Sequence, residues 1–148
     1  MTTFRLTILA GEQQNMDFSG LTDAEFIFLM LIVFQVKQLI GDFALQSDWM
    51  VEGKKKPGFA FVYPLTVHVV IHAVMTLTIL LVVNKALWAL AFIDFATHFV
   101  MDRIKSSPGF LGRFTDTSKR SYWVPFGVDQ MIHHLTHYFI IWQLFAHR

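Results

Sequence analysis

Histidine and aspartate recur at intervals of four residues in apolar stretches of this chain, a pattern suited to binding metal. FIDFATHFVMDRIK, residues 92–105, and DQMIHHLTH, residues 129–137, each carry three such side chains, and a third stretch carries two. Helical residues advance by about 100° each, so positions i, i+4 and i+8 share one stripe of a helix. Imidazole and carboxylate groups suit zinc, iron, manganese or nickel. The predicted metal ligands are His68, His72, Asp94, His98, Asp102, Asp129, His133 and His137.

A zinc site uses three or four protein ligands, so eight could complete two sites, or one site with supporting residues around it. A proton relay or ion-pair network is one alternative, because chains of Asp and His build such paths too. Haem held by two histidines is another, but it gives no reason for an Asp one turn before His98 and His133.

The residue types narrow the choice of metal. The chain has no cysteine, which removes iron–sulfur clusters and thiol catalysis. Di-iron carboxylate bundles use glutamate and Glu-x-x-His pairs. Here no glutamate lies on a stripe, and the spacing is four rather than three. We therefore prefer zinc as the divalent metal, with iron and manganese left open.

Hydrolysis at such a metal needs a base and a group that stabilises developing negative charge. Asp42 or one of the clustered carboxylates is the predicted catalytic base. Lys105, which continues the stripe of Asp94, or Lys37 if it turns inward, is the predicted stabiliser of an oxyanion or phosphate. The metalloprotease signature H-E-x-x-H is absent, and there is no glycine-rich phosphate loop and no nucleophile elbow.

Further polar residues are predicted to support the ligands. Gln46 lies on the stripe of Asp42. His134 lies about 100° from His133 around the helix, beside the stripe that His133 belongs to. Lys37 points about 140° away from Asp42 on an ideal helix. Either Gly41 distorts the helix, or Lys37 meets a neighbouring residue.

The elements that must position these residues are four apolar helices. The chain is 54% hydrophobic and only 16% charged, whereas soluble domains are roughly a quarter charged. Residues 57–84 contain no Lys, Arg, Asp or Glu, and this run is longer than the about 20 residues needed to cross a bilayer. Weaker spans are predicted over residues 24–45, 86–104 and 122–145. The net charge of +1 implies no nucleic-acid partner.

The predicted fold is therefore an all-α, integral-membrane four-helix bundle. Residues 1–23 are predicted to form a polar N-terminal lead-in, and residues 24–148 a single four-span transmembrane domain. Residues 53–58 and 106–121 are predicted to be loops, from their glycine, proline and charge content. The alternative is a soluble helical bundle with unusually apolar helices.

Basic residues predict the orientation in the membrane. The loops after the first and third spans carry Lys54, Lys55, Lys56, Arg103, Lys105, Arg113, Lys119 and Arg120. The opposite side carries Arg5, Lys85 and Arg148. Basic loops stay in the cytoplasm, so both termini are predicted to lie outside it. All four polar stripes then fall in the cytoplasmic half of the bilayer, where the helices could bring them together.

The motifs KQLIGDFALQSDWM, PLTVHVVIH, FIDFATHFVMDRIK and GVDQMIHHLTH resemble a bacterial inner-membrane family, domain of unknown function 3307. The resemblance covers about residues 30–145 and implies a multi-pass protein of the bacterial inner (plasma) membrane. It also implies functional positions at the eight predicted ligands and at Lys37, Asp42, Gln46, Lys105 and Gln130. It names no reaction, although the chain is also distantly similar in fold to membrane-bound metal-dependent hydrolases.

The leading hypothesis is a membrane metallohydrolase acting on an ester, amide or phosphoester of a lipid headgroup or lipid-linked molecule. Its partners would be the lipid bilayer and a lipid-like substrate. One alternative is a di-iron membrane redox enzyme. Another is a non-enzymatic metal or proton transporter, for which a homo-oligomer could provide alternating access, or an interaction subunit.

Overall fold

The computed structural model describes residues 18–148, in which all regular structure is helical and no strand occurs. The all-α prediction is therefore confirmed for this part of the chain. The predicted lead-in falls mostly on residues 1–17, which lie outside the described residues. The α-helices are α1 (Asp23–Leu39), α2 (Asp48–Lys54), α3 (Val62–Val83), α4 (Leu90–Ser106) and α5 (Arg120–Ala146). Shorter turns are a π-helix (Ile40–Ala44) and 3₁₀-helices (Lys85–Leu87 and Leu111–Arg113).

The first helix begins with a capping box. The backbone N–H of Glu25 donates to Oγ1 of Thr22 at 3.3 Å, and Oε2 of Glu25 accepts from the backbone N–H of Thr22 at 2.8 Å. These contacts satisfy backbone groups that the first turn leaves free, so they fix where α1 starts. That start sets which side chains reach the bundle interior two and more turns later.

A π-helical turn follows α1 and changes which residues face inward. Ile40–Ala44 forms this wider turn, and Gly41 is buried within it. A Cβ atom on Gly41 would lie 2.5 Å from Nε2 of His72, so only glycine lets the two helices approach this closely. Both explanations considered for Lys37 are therefore correct. The helix is distorted, and Lys37 meets neighbours while Asp42 also faces the interior.

Helix α2 was not predicted. The expected loop over residues 53–58 is wrong at Gly53 and Lys54, which form the last turn of this helix. The helix has seven residues, too few to show apolar periodicity, and therefore gives little signal in the sequence. Gly53 packs directly against the ring of Pro64, where a Cβ atom would clash. The backbone oxygen of Lys54 accepts a hydrogen bond from Arg103, so α2 is fixed to both α3 and α4.

The bundle interior has an apolar half and a polar half. The apolar half lies where α1 and α4 begin and α3 and α5 end, as expected for helices that alternate in direction. Its core residues are Phe26, Met30, Phe34, Leu80, Ala91, Ile140, Ile141 and Leu144. The opposite half is filled by the His, Asp and Lys side chains described below. The four predicted spans thus correspond to α1, α3, α4 and α5.

The bundle exposes large apolar side chains on its outside. Phe28, Phe43 and Phe92 are each exposed by 65% or more. Among the described helices, two are long and apolar enough to cross a membrane, namely Asp23–Ala44 and Val62–Val83. The helical nature of the four spans is confirmed, whereas an integral four-span bundle stays a prediction.

Candidate metal centre

Nine His and Asp side chains of the described residues converge into three groups in the polar half. Within each group the potential ligand atoms lie within 4.8 Å of one another. The first group is Asp42, His68 and His72; the second is Asp94, His98 and His137; the third is Asp102, Asp129 and His133. All eight predicted ligands lie in these groups, and the ninth member is Asp42, which was predicted to be the base. The structure thus brings together what the stripes suggested.

Two separations within the first group match those of a tetrahedral metal site. Oδ1 of Asp42 lies 3.2 Å from Nε2 of His72 and 3.5 Å from Nε2 of His68. Metal–ligand bonds of about 2.0–2.1 Å at tetrahedral angles separate neighbouring ligand atoms by about 3.3 Å. The other oxygen of Asp42 accepts hydrogen bonds from Gln38 at 2.8 Å and Gln130 at 3.3 Å. The amides thus orient the carboxylate and leave Oδ1 facing the two imidazoles.

The third group lies directly beside the first. Oδ2 of Asp102 is 3.0 Å from Nε2 of His68, which joins the two groups. Oδ1 of Asp129 lies 3.9 Å from Nδ1 of His133, one turn further along α5. The spacing of four on each helix therefore holds each pair on one face, and the antiparallel packing of α3, α4 and α5 brings the pairs together.

Two lysines contact the carboxylates of the third group. Nζ of Lys105 lies 2.7 Å from Oδ2 of Asp129, and Nζ of Lys54 lies 3.3 Å from Oδ2 of Asp102. Lys105 is therefore beside the centre, as predicted. Lys54 was missed, because one member of a lysine triplet gives no sign of being the buried one.

The second group already contains a cationic side chain. Nζ of Lys37 lies 2.8 Å from Oδ2 of Asp94 and 3.1 Å from Nε2 of His137. Thr76 donates to the same aspartate oxygen at 2.8 Å. Nδ1 of His98 lies 2.9 Å from the backbone oxygen of Asp94 and is its donor. The positive charge that the carboxylate requires is thus supplied by the protein.

Unpaired buried atoms distinguish the groups. In the described part of the chain, both ring nitrogens of His68, His72 and His133 are buried and form no hydrogen bond of acceptable geometry. In the second group, His98 and His137 each have one paired and one unpaired ring nitrogen. Buried polar atoms are nearly always paired, so the unpaired nitrogens of the first and third groups require a further partner. A metal ion is a partner that fits these imidazole and carboxylate donors.

Stacked imidazoles connect the groups into one cluster. The ring centroids of His72 and His98 are 4.2 Å apart, and those of His98 and His133 are 4.1 Å apart, with the latter rings nearly parallel. His98 thus lies between the first and third groups. Because these rings are in direct contact, a shift of one group would displace side chains of the neighbouring group.

A cavity of about 470 Å³ reaches the cluster from the end where α4 stops and α5 begins. Asp102, Lys54 and Lys105 line it on the side of the third group. Gln46 also lines this cavity and is not part of any ligand group. The cavity gives solvent or a ligand a route to otherwise buried carboxylates.

Two other residues that were predicted to support the ligands differ in their position relative to the cluster. Gln130 donates to Asp42 at 3.3 Å and to Asp129 at 3.2 Å, so it bridges the first and third groups. His134 instead lies beside the cluster, half-buried, with Nδ1 3.3 Å from the amide of Gln35. Thr76 was missed, although it continues the stripe of His68 and His72 and could have been found from that spacing.

Comparison with known proteins identifies a family whose function is unknown. A family described as "Protein of unknown function (DUF3307)" matches residues 27–147, which is most of the chain. No curated protein and no solved structure matches the chain.

Proposed function

The chain belongs to the DUF3307 family of proteins of unknown function, and we propose that it is a membrane-embedded metallohydrolase. It would hold two zinc ions in the first and third groups and hydrolyse an ester, amide or phosphoester of a lipid headgroup or lipid-linked molecule. The observation that carries this proposal is the convergence of Asp42, His68 and His72 at the separations of a tetrahedral site.

The distribution of polar and apolar residues supports placement in a membrane. Asp94 and His98 are completely buried, while Phe43, on the outer surface of the first span, is 71% exposed. Ionisable groups within a bilayer face the bundle interior, and the lipid-facing surface is apolar. We place the basic loops in the cytoplasm and both termini outside it, in a bacterial inner membrane.

Two ions per chain follow from how the groups are compensated. Among the described residues the first group contacts no lysine, and its imidazole nitrogens form no well-aligned hydrogen bond, although Nε2 of His68 and Nε2 of His72 each lie within 3.5 Å of a carboxylate oxygen. The third group adjoins it through the 3.0 Å contact of His68 with Asp102. In the second group Lys37 contacts both Asp94 and His137 and so takes the place of an ion, and we assign this group none. In the third group Lys54 and Lys105 contact the carboxylates only, which leaves the position between carboxylate and imidazole to an ion.

Zinc is our first choice of metal because the ligands are imidazole and carboxylate only and the first group has tetrahedral spacing. When bound, such ions would lower the pKa of a coordinated water and polarise the bond to be cleaved. Hydrolysis then adds one water across that bond. Its oxygen joins phosphorus or carbon, and one of its protons goes to the departing oxygen or nitrogen.

The chain's own residues divide the remaining work. We assign Asp42 as a ligand rather than a base, because one of its oxygens accepts two amides and the other faces two imidazoles. Lys54 and Lys105 would stabilise negative charge that develops on the substrate.

A substrate panel tests the reaction class. Purified full-length protein, loaded with zinc in detergent, would be offered lipid esters, lipid amides and phosphoesters of soluble and lipid alcohols. We expect cleavage of one class, loss of cleavage after chelation, recovery when zinc is restored, and no cleavage by His68→Ala. Cleavage that survives both chelation and His68→Ala would overturn the proposal. A protein that retains two zinc ions and cleaves none of the panel would overturn the hydrolase assignment alone.

A further inference from the structure

The cavity beside the third group has the properties of an anion-binding site. Lys54 reaches it from α2 and Lys105 from α4, so two ammonium groups approach it from different helices. Its volume of about 470 Å³ falls within the range of small-ligand pockets, roughly 300–1,000 Å³. The proposed function uses this cavity as a route of access and its two lysines to stabilise charge that develops on the substrate, without assigning the cavity a ligand group of its own.

Lys54 is held in place in a way that its neighbours in the sequence are not. It is only 7% exposed, whereas Lys55 and Lys56 are both exposed. Its backbone oxygen accepts hydrogen bonds from Arg103 and Ser106, each at 3.1 Å. Lysines that only attract anionic lipid or set membrane orientation keep their ammonium groups in water. The burial of Lys54 therefore points to a role inside the cavity.

Gly53 is what allows this burial. A side chain at Gly53 would clash with the ring of Pro64, so only glycine lets α2 lie against the start of α3. That contact directs Lys54 toward Asp102 on α4. The short helix α2 therefore serves to place one lysine beside the third group.

The charges of the cavity depend on the metal. Without a cation, Lys54 neutralises Asp102 and Lys105 neutralises Asp129. A divalent ion held by these two carboxylates would take over that compensation. The two ammonium groups would then keep an excess of positive charge facing the cavity. Metal binding and anion binding at this position would reinforce each other, as linkage requires.

Aromatic side chains also line the cavity. Phe114, Tyr122 and Phe126 line it, and Nζ of Lys105 lies 4.8 Å from the ring centre of Phe126. Thr115 also lines the cavity and can offer its hydroxyl to a polar group. A ligand with an anionic head and a less polar remainder would match this combination of lysine and aromatic side chains.

We propose that Lys54 and Lys105 form a subsite for the phosphate group of an anionic lipid headgroup or a soluble phosphoester, with the remainder of the molecule against Phe114, Tyr122 and Phe126. This inference rests on the proposed function, because it places the phosphate next to the metal pair. It narrows the substrate from three classes of bond to phosphoesters.

Titration calorimetry with inorganic phosphate tests the subsite directly. The samples would be full-length zinc-loaded protein and its Lys54→Met, Lys54→Arg and Lys56→Met variants, with zinc content measured in each. We expect Lys54→Met to weaken phosphate binding about tenfold or more, the loss typical of a hydrogen bond to a charged group. Lys54→Arg should retain most of the affinity, and Lys56→Met, at an exposed position of the same triplet, should match the wild type.

The source of the phosphate is distinguished in lipid nanodiscs. Phosphatidic acid in a phosphatidylcholine disc should compete with inorganic phosphate if the subsite takes a lipid headgroup. If it takes a soluble phosphoester, a disc containing phosphatidic acid should leave phosphate affinity unchanged.

Equal affinities of zinc-loaded Lys54→Met and Lys56→Met would overturn the subsite while leaving the metal pair intact. Absence of zinc from the wild type would overturn the proposed function and the subsite with it.

Discussion

The ammonium nitrogen of Lys37 lies 2.8 Å from a carboxylate oxygen of Asp94, and both side chains are almost fully buried. Lys37 also reaches His137 at 3.1 Å, so it occupies one of three groups whose residue types suit a metal ion. The other two groups have no lysine placed between carboxylate and imidazole in this way. Lys37 therefore does for the second group what we propose metal ions do for the first and third.

Removing this lysine should turn the second group into a metal site. Lys37→Met leaves Asp94 buried without its partner, which typically destabilises a protein by about 3–5 kcal/mol. A divalent ion bound by Asp94, His98 and His137 could replace the lost charge. We expect three zinc ions per chain instead of two, and a thermal stability that zinc restores.

The double variant Lys37→Met with Asp94→Asn serves as the control for that experiment. It lacks both the charge to be compensated and a ligand, so it should return to two ions. A single variant that still binds two ions, with a stability unaffected by zinc, would contradict the role of Lys37.

Two adjacent histidines on α5 provide a matched comparison. His133 is buried in the third group, whereas His134 is half-buried and contacts Gln35. His133→Ala should lower the zinc content to about one ion per chain, because a zinc site needs three or four protein ligands. His134→Ala should retain both ions. Equal zinc contents in the two variants would contradict a zinc ion in the third group.

The close approach of Gly41 to His72 makes a sharp test of the first group. A Cβ atom at Gly41 would lie 2.5 Å from the imidazole, so Gly41→Ala must displace His72 or open the π-helical turn. We expect a loss of about 1–3 kcal/mol in stability, typical of overpacking, together with weaker zinc binding. Thermal unfolding with and without zinc measures both effects.

Gly127 is the control for this substitution, since a Cβ atom there has no neighbour within 4 Å. Gly127→Ala should leave zinc binding unchanged and not lower stability, because alanine is favoured over glycine within a helix. Similar zinc affinities in the Gly41 and Gly127 variants would argue against His72 as a ligand.

The orientation in the membrane can be tested with single cysteines, because the chain has none of its own. Lys56→Cys and Lys85→Cys place thiols at exposed positions at opposite ends of the bundle. In intact spheroplasts, a membrane-impermeant thiol reagent should label the cysteine at position 85 and not the one at position 56. Labelling of both only after lysis, or the reverse pattern, would contradict the proposed topology.

The sequence predicted the convergence of the ligands but not their division into groups. The spacing of four within α3, α4 and α5 survives in the structure because a regular helix preserves it, so His68 with His72 and Asp129 with His133 could be placed in advance. That Lys37 and Asp42 both face the interior could not be settled from the sequence, because it depends on a π-helical turn that changes the facing of residues beyond Leu39.

The contribution of α2 was also beyond sequence reasoning. Its seven residues carry no periodic pattern, and the burial of Lys54 follows from the packing of Gly53 on Pro64, residues eleven apart in the chain. Contacts of this kind depend on how finished helices dock together. They leave no local pattern for a reader of the sequence to detect.

The most direct test of the metal pair is the zinc content of the wild-type protein, by elemental analysis after purification in detergent without added metal. We expect two zinc ions per chain, with the first and third groups filled and the second held by Lys37. A protein that contains no metal and regains none on reconstitution would contradict the account. His68, His72 and His133 would then belong to a network that moves or shares protons.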